Sequence, residues 1–196
     1  AWFNQHKTGP IVHKAQHYFD VYQRHSAPVR QRAAEQGRAV RMMEMGVQSG
    51  GSLEMWKSFF GESLELHGLD INPATRRFHN INRNITMHLG NMFDRVFMRK
   101  VARQVEGVDI IIDDAAHRSR DIKHAFQTLY RCVASGGVYL VEDLQTNYWY
   151  NHEFREGYGA NFTFIEYTKT LIDQLNAWSA VDTRFQKPAF KLAKNY

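Results

Sequence analysis

Val108-Asp109-Ile110-Ile111-Ile112-Asp113-Asp114-Ala115-Ala116-His117 is an apolar run, rich in β-branched residues, that stops at two carboxylates, two small residues and a histidine. Apolar runs of this length between polar flanks read as strands buried on both faces of a parallel sheet. Ligands of open α/β sheets bind just outside the carboxyl ends of the strands. Asp113, Asp114 and His117 therefore fall where chemistry is usually done. A second stretch, Gly136-Gly137-Val138-Tyr139-Leu140-Val141-Glu142-Asp143, has the same form. If the two strands are neighbours, up to four carboxylates and one imidazole converge. Crowded carboxylates repel, and a divalent cation is the simplest way to keep them ionised together.

Outward from these two strands, the chain alternates. Arg41-Met42-Met43-Glu44-Met45-Gly46 reads as a first strand, residues 47–52 as a Gly-rich turn, and residues 53–60 as a helix that stops at Gly61. Residues 64–70 and 85–89 read as the second and third strands, with Pro73 suited to the first turn of a helix between them. Residues 94–105 and 120–133 read as helices, and a last helix spans residues 164–178. Upstream, residues 11–24 have the spacing of an amphipathic helix, which Ala27-Pro28 is expected to break. Residues 31–37 are helical again or a linker. Strand alternating with helix means an α/β fold: a Rossmann-like, mostly parallel sheet with helices on both faces.

Bulk composition excludes several classes. With 43% hydrophobic and 23% charged residues, the 196-residue chain has enough apolar content for one packed α/β domain. No apolar run approaches the roughly 20 residues of a membrane helix. The first residues lack the apolar core of a signal peptide, and a start without Met is expected of a processed or excised chain. Cys132 is the single cysteine, so no internal disulfide forms; this fits a reducing compartment, and the expected location is cytoplasmic. The net charge is +5, but Lys and Arg are scattered, with Arg24, Arg30, Arg32, Arg38 and Arg41 the nearest to a cluster. The expectation is a solvated basic face, with neither nucleic acid nor membrane as a partner. His6, His13, His17 and His25 lie in or beside the first helix with no carboxylate placed to complete a metal site.

The first turn, Glu44-x-Gly46-x-x-x-Gly50-Gly51 with Ser52 behind it, lets a ligand approach the backbone closely. Asp70 ends the second strand, where an acidic residue can accept from ribose hydroxyls. Together they mark a nucleoside-bearing cofactor. The turn departs from the G-x-G-x-x-G of dinucleotide sites. Glu44 would be unwelcome beside a pyrophosphate but suits a sulfonium or an α-amino group. That favours S-adenosylmethionine over NAD.

Residues 43–73, including Glu-Met-Gly-Val-Gln-Ser-Gly-Gly and His-Gly-Leu-Asp-Ile-Asn-Pro, resemble class I S-adenosylmethionine-dependent methyltransferases. More narrowly, Ile-Ile-Asp-Asp-Ala-Ala-His and Val-Glu-Asp-Leu-Gln-Thr-Asn-Tyr-Trp resemble the metal-dependent macrolide-sugar O-methyltransferases of the mycinamicin and macrocin types. These group with the rhamnosyl O-methyltransferase and cephalosporin hydroxylase family, and the resemblance covers about residues 11–178. It implies Mg²⁺-dependent methyl transfer from S-adenosylmethionine to a hydroxyl of a sugar on a glycosylated natural product or glycolipid. It implies Asp114, Glu142 and Asp143 as magnesium ligands and His117 as general base. Glu44, Gly46, Gly50, Ser52, Asp70, Asn91 and Asp113 are the expected cofactor-binding residues, Asp113 standing beside a matched ligand. The expected division is residues 1–38 as an N-terminal helical extension and 39–196 as the S-adenosylmethionine-binding domain. Rival readings are a catechol-type O-methyltransferase, a non-catalytic relative that keeps the cofactor fold, and an NAD-dependent oxidoreductase.

The sequence departs from the family in three places. Ala115-Ala116 stands where Gly-Ser is usual, and Gly90-Asn91-Met92 where Gly-Asp-Gln is usual; Asn91 can still bond an adenine amino group. The antiparallel C-terminal hairpin that completes the family's sheet has no counterpart after Trp178. A truncated domain is the expected reason, ahead of a short strand near residues 181–185 or a strand from another chain. Expected partners are a small hydroxylated, sugar-like substrate and, through the aromatic loop of Tyr148, Trp149, Tyr150 and Tyr158, a second copy of the chain in a homo-oligomer. The first expectation for this loop is that it closes over the substrate, with the subunit contact as the alternative.

Overall fold

The computed structural model describes residues 8–151 and 153–177. Its helices are α1 (Tyr18–Glu35), α2 (Gly51–Phe60), α3 (Arg95–Gln104), α4 (Ser119–Leu129) and α5 (Phe164–Asn176). Its strands are β1 (Arg41–Met45), β2 (Glu65–Asp70), β3 (Ile85–Leu89), β4 (Val108–Asp113) and β5 (Val133–Val141). All strand pairs are parallel, and the sheet order is β3-β2-β1-β4-β5. The chain builds outward from β1 in one direction and then returns to add β4 and β5 on the other side. The crevice for a ligand is therefore at the carboxyl ends of β1 and β4, where the order reverses.

Side-chain alternation divides the core between the two faces. Met42 of β1 and Ile110 and Ile112 of β4 pack with Tyr22, Val29 and Ala33 of α1 and with Leu53 and Trp56 of α2. Met43, Met45 and Ile111 point the other way, against Met98 and Val101 of α3 and Ala125 and Leu129 of α4. Every residue of β4 is buried, as its unbroken apolar run requires. Phe126, Phe164 and Tyr167 then seat α5 on α4.

Three expectations are corrected. The helix expected over residues 11–24 starts only at Tyr18, and it continues through Pro28 to Glu35 instead of breaking there. An interior proline costs a helix about 3 kcal/mol, and burial of Tyr22, Ser26, Val29 and Ala33 along one face offsets it. The helix expected over residues 120–133 ends at Leu129. A single 3₁₀ turn, Tyr130–Cys132, leads into β5, which begins at Val133 rather than Val138. The last helix stops at Asn176, and Trp178 lies outside the described residues.

The N-terminal helix shares its core with the sheet, and Arg38 reaches the sheet directly. Its guanidinium grips the buried Asp109 of β4 through two 2.7 Å hydrogen bonds, and the Arg41 N–H adds a third at 2.9 Å. Strand β5 lies at the sheet's edge among the described residues, half-buried where β4 is wholly buried. Arg32 of α1 donates to the Gly136 carbonyl at 2.6 Å, at the bulge in β5. The strand considered near residues 181–185 lies outside the described residues.

Candidate functional site

Five strand ends meet in a cavity of about 450 Å³, within the usual range of roughly 300–1,000 Å³ for small-molecule sites. After β1 the chain turns at Gly46, whose φ is +87°. A side chain there would strike the Asp114 carbonyl, so only glycine lets the β1 and β4 turns approach this closely. Across the cavity, Asp70 at the end of β2 accepts the backbone N–H groups of Gln48 and Asn72, each at 2.8 Å. These bonds fix the carboxylate and leave lone pairs on both oxygens facing the cavity. Asn91, after β3, also lines it, but its Oδ1 accepts the Phe93 N–H at 2.8 Å. The atom expected to accept from an adenine amino group is thus already shared with a turn.

Of the residues expected at the cofactor, Gly46, Ser52, Asp70 and Asn91 line this cavity. Glu44, Gly50 and Asp113 do not, for separate physical reasons. Glu44 has no exposed surface: strand alternation sends it under α1 and α2, where Ser52 Oγ donates to it at 2.7 Å. Gly50 packs on the ring of Phe78 and begins α2 in a left-handed conformation. Asp113 lies beneath the site at 1% exposure. Burial pushes its carboxyl up to about 7, with the Tyr139 hydroxyl 3.4 Å away.

The acidic strand ends do come together. The Glu142 N–H donates to the Asp113 carbonyl at 2.9 Å, continuing the β4–β5 ladder to its last rung. Asp143 then takes a left-handed φ of +56°, as does His117 at +53°. The Thr146 hydroxyl donates to the His117 carbonyl at 2.7 Å and the Asp143 carbonyl at 2.9 Å, tying both turns together. His117 Nε2 lies 3.8 Å from Asp114 Oδ1 and 3.7 Å from Asp143 Oδ2. One ligand atom from each of Asp114, His117 and Asp143 falls within 4.8 Å of the others.

Glu142, the third expected metal ligand, shares Lys14 with Asp114. Both its oxygens accept from Lys14 Nζ at 3.1 Å, and Oε1 also accepts the Tyr22 hydroxyl at 2.5 Å. The same ammonium lies 2.7 Å from Asp114 Oδ2 and 3.3 Å from Glu44 Oε1. Burial works against a charge on Lys14, but Glu44, Glu142 and Asp114 outweigh it and hold the ammonium well above its ordinary range. Burial raises the Glu142 carboxyl while Lys14 pulls it back. Part of the positive charge that the clustered carboxylates demand is therefore a lysine.

Lys14, Tyr18 and Tyr22 went unread as functional residues in the sequence, because helical spacing marked the tyrosines only as an apolar face. Of the histidines in or beside the first helix, His13 lines the cavity and His17 packs edge-on against Tyr18, while His6 lies outside the described residues.

The aromatic segment after Asp143 is anchored rather than loose. Glu156, 5% exposed, accepts the Ser119 N–H at 2.7 Å and the Ser119 hydroxyl at 2.5 Å, capping the start of α4. Tyr148, Trp149, Tyr150, Tyr158 and Phe162 remain exposed around it.

No family model matches the sequence. Curated relatives do. The 8-demethyl-8-alpha-L-rhamnosyl tetracenomycin-C 2'-O-methyltransferase of Streptomyces olivaceus is 36% identical over 167 residues, 81% of this chain and 41% of the relative. The L-olivosyl-oleandolide 3-O-methyltransferase of Streptomyces antibioticus is 32% identical over 170 residues, 79% of this chain and 40% of the relative. Among solved structures, the MycE methyltransferase of the mycinamycin biosynthetic pathway, in complex with Mg, SAH and mycinamycin VI, superposes with a TM-score of 0.69. It is 31% identical, over 80% of this chain and 42% of that one. The chain spans about two fifths of the length of the relatives it matches. Over the region it shares with them, the chain is similar to natural-product sugar O-methyltransferases and has their class I, S-adenosylmethionine-dependent methyltransferase fold.

Proposed function

We propose that this chain transfers a methyl group from S-adenosylmethionine to a hydroxyl of a sugar on a glycosylated natural product, with Mg²⁺ at the acidic strand ends. The observation that carries the reading is the convergence of Asp114, Asp143 and His117 at one end of a cavity whose other end holds Asp70. Asp70 is placed to accept from ribose hydroxyls, and the Gly46 turn admits the cofactor against bare backbone.

The residues present fit a magnesium ion. Mg²⁺ favours oxygen donors and commonly uses one or two protein carboxylates, completing its shell with water and substrate. Asp114, Asp143 and Glu142, the last now paired with Lys14, are the carboxylates that would hold it. His117 is a poorer partner for so hard a cation, which leaves Nε2 to take the proton from the acceptor hydroxyl. When bound, the ion lowers the pKa of that hydroxyl and orients it. Imidazole, with an ordinary pKa near 6.5, is matched to proton transfer near neutrality. Alignment by the fixed carboxylates and the cavity supplies the remainder.

Acceptor binding falls to the exposed aromatics that follow Asp143, whose faces suit a sugar ring. Among the described residues no helix is long and apolar enough to cross a membrane. Calorimetry with S-adenosylhomocysteine, with and without Mg²⁺, tests it. Binding is expected in both cases, and methylation of a glycosylated macrolide or aromatic polyketide only with the metal. Absence of S-adenosylhomocysteine binding would overturn the reading.

A further inference from the structure

Between residues 148 and 162 the chain carries six aromatic residues and no Leu, Ile, Val or Met. Two of the six face each other. The rings of Tyr148 and Tyr158 stack with centroids 6.1 Å apart and planes 26° from parallel. Both are exposed, Tyr148 at 51% and Tyr158 at 91%. The backbone holds the pair in register. Asn147 is buried; its carbonyl accepts the Gly157 N–H at 3.0 Å and its Oδ1 accepts the Ile165 N–H at 3.0 Å. The residues that follow the two ends of the Asn147–Gly157 bond are the two tyrosines. The Gly157 carbonyl accepts the Ala160 N–H at 3.0 Å, closing a turn with Tyr158 and Gly159 at its centre. Gly159 supplies the left-handed residue of that turn, with φ +80°. Tyr148 ends the 3₁₀ turn Leu144–Tyr148, which starts directly after Asp143. At about 2.0 Å per residue, the ring pair begins roughly 10 Å from the acidic strand ends.

We infer that Tyr148 and Tyr158 form a slot that selects the acceptor by its aglycone, taking a flat, fused-ring aromatic in preference to a macrolactone. The inference rests on the methyltransferase reading and adds the class of acceptor to it. Two near-parallel faces admit a guest that is thin and flat. Carbon atoms in contact lie about 3.5–4.0 Å apart, so a guest between two rings needs them about 7 Å apart. The pair is short of that by about 1 Å, and the exposed side chain of Tyr158 is free to turn that far. A flat ring would then stack on both sides, and offset stacking contributes beyond the area it buries. A macrolactone is puckered and branched. It packs best on aliphatic side chains, which this segment lacks. The stretch between slot and strand ends leaves room for one sugar, whose hydroxyl would reach Asp114 and Asp143. A second copy of the chain is a poorer occupant, because a stable interface needs a broad patch and the slot is one ring wide.

Calorimetry on the protein saturated with S-adenosylhomocysteine and Mg²⁺ tests this with two probes that carry the same sugar, an anthraquinone glycoside and a macrolide glycoside. The anthraquinone glycoside is expected to bind at least about tenfold more tightly. Tyr148→Ala and Tyr158→Ala are each expected to bring the two affinities within about threefold of one another. Tyr158→Phe keeps the ring and is expected to keep the preference. Equal or tighter binding of the macrolide glycoside overturns the inference, as does binding of neither probe. A preference that survives both alanine variants, or is lost equally in Tyr158→Phe, overturns it as well. Sedimentation adds a second arm: a dimer of the unaltered protein that Tyr158→Ala dissociates shows another copy of the chain in the slot and also overturns it. If the unaltered protein binds no S-adenosylhomocysteine, the methyltransferase reading fails, while the ratio of the two affinities, measured without cofactor, still decides the slot.

Discussion

Tyr18 and Asp143 bind each other reciprocally: the tyrosine hydroxyl accepts the Asp143 N–H at 3.0 Å and donates to Asp143 Oδ1 at 2.9 Å. The pair fixes both the backbone and the side chain of a residue whose φ is +56°. Oδ2 is left toward His117. Burial and the neighbouring carboxylates push the Tyr18 hydroxyl up to about 12, so it stays protonated and remains a donor across the working range. Tyr18→Phe is expected to cost about 1–2 kcal/mol in thermal unfolding, the usual range for losing such bonds. Mg²⁺ affinity should fall about three- to tenfold in calorimetric titration. An unchanged Mg²⁺ affinity would show that Asp143 needs no help to face the ion.

His117 also has a left-handed backbone, which makes alanine a poor probe of its chemistry. Asparagine tolerates that conformation, so His117→Asn removes the imidazole without adding strain. Turnover is expected to fall about 10²–10⁴-fold, with S-adenosylhomocysteine affinity within about twofold. A parallel loss of cofactor affinity would make His117 a structural residue of the turn.

Gly46→Ala should be severe. A left-handed backbone alone costs a non-glycine residue about 1–2 kcal/mol, and overlap with the Asp114 carbonyl adds about 1–3 kcal/mol of strain. Urea unfolding is expected to show a loss of at least about 2 kcal/mol, with S-adenosylhomocysteine binding weakened in step. A variant of normal stability would mean that the β1 and β4 turns stand further apart than described.

His67 and His88 form a buried pair between β2 and β3, Nδ1 to Nε2 at 3.0 Å. Burial, followed by its histidine neighbours, lowers the His88 pKa from 6.5 to about 4. A depressed folded-state value means that this contribution is fully present above pH 6.5 and is lost as pH falls through 4. The amount is on the order of 3 kcal/mol. Urea unfolding of the unaltered protein and His88→Gln between pH 7 and pH 4 isolates it. The stability difference between them should shift by about 2–3 kcal/mol in favour of the variant as pH falls. A constant difference would mean that His88 is not kept neutral by the fold.

Much of this was legible in the chain. Residues 85–89 and 108–113 read as strands from their apolar runs alone, and they fold so. Asp94 announced the next helix, whose N–H groups at Val96 and Phe97 it accepts. Local rules failed where tertiary contacts outweigh them. Pro28 signals a break, yet the face carried by Tyr22 and Val29 keeps the helix intact. Lys14 falls among the polar positions of the helix expected over residues 11–24, and its partners Asp114 and Glu142 are 100 and 128 residues away. The clustered carboxylates did announce a need for positive charge. That a lysine would meet part of it depends on the path of residues 8–17 before α1, which no spacing encodes.

Glu156 has a consequence for how such a site diversifies. By pinning its segment to the start of α4 at midpoint, it divides the aromatic surface into two short arcs, residues 148–155 and 157–162. Each arc has both ends fastened, so ordering it around a guest loses little chain entropy. The arcs meet where Tyr148 stacks on Tyr158, ring centroids 6.1 Å apart. Tyr148 and Trp149 belong to the first arc, Tyr158 and Phe162 to the second. A change at that stack is therefore felt in both arcs, while the carboxylates and the imidazole keep their places.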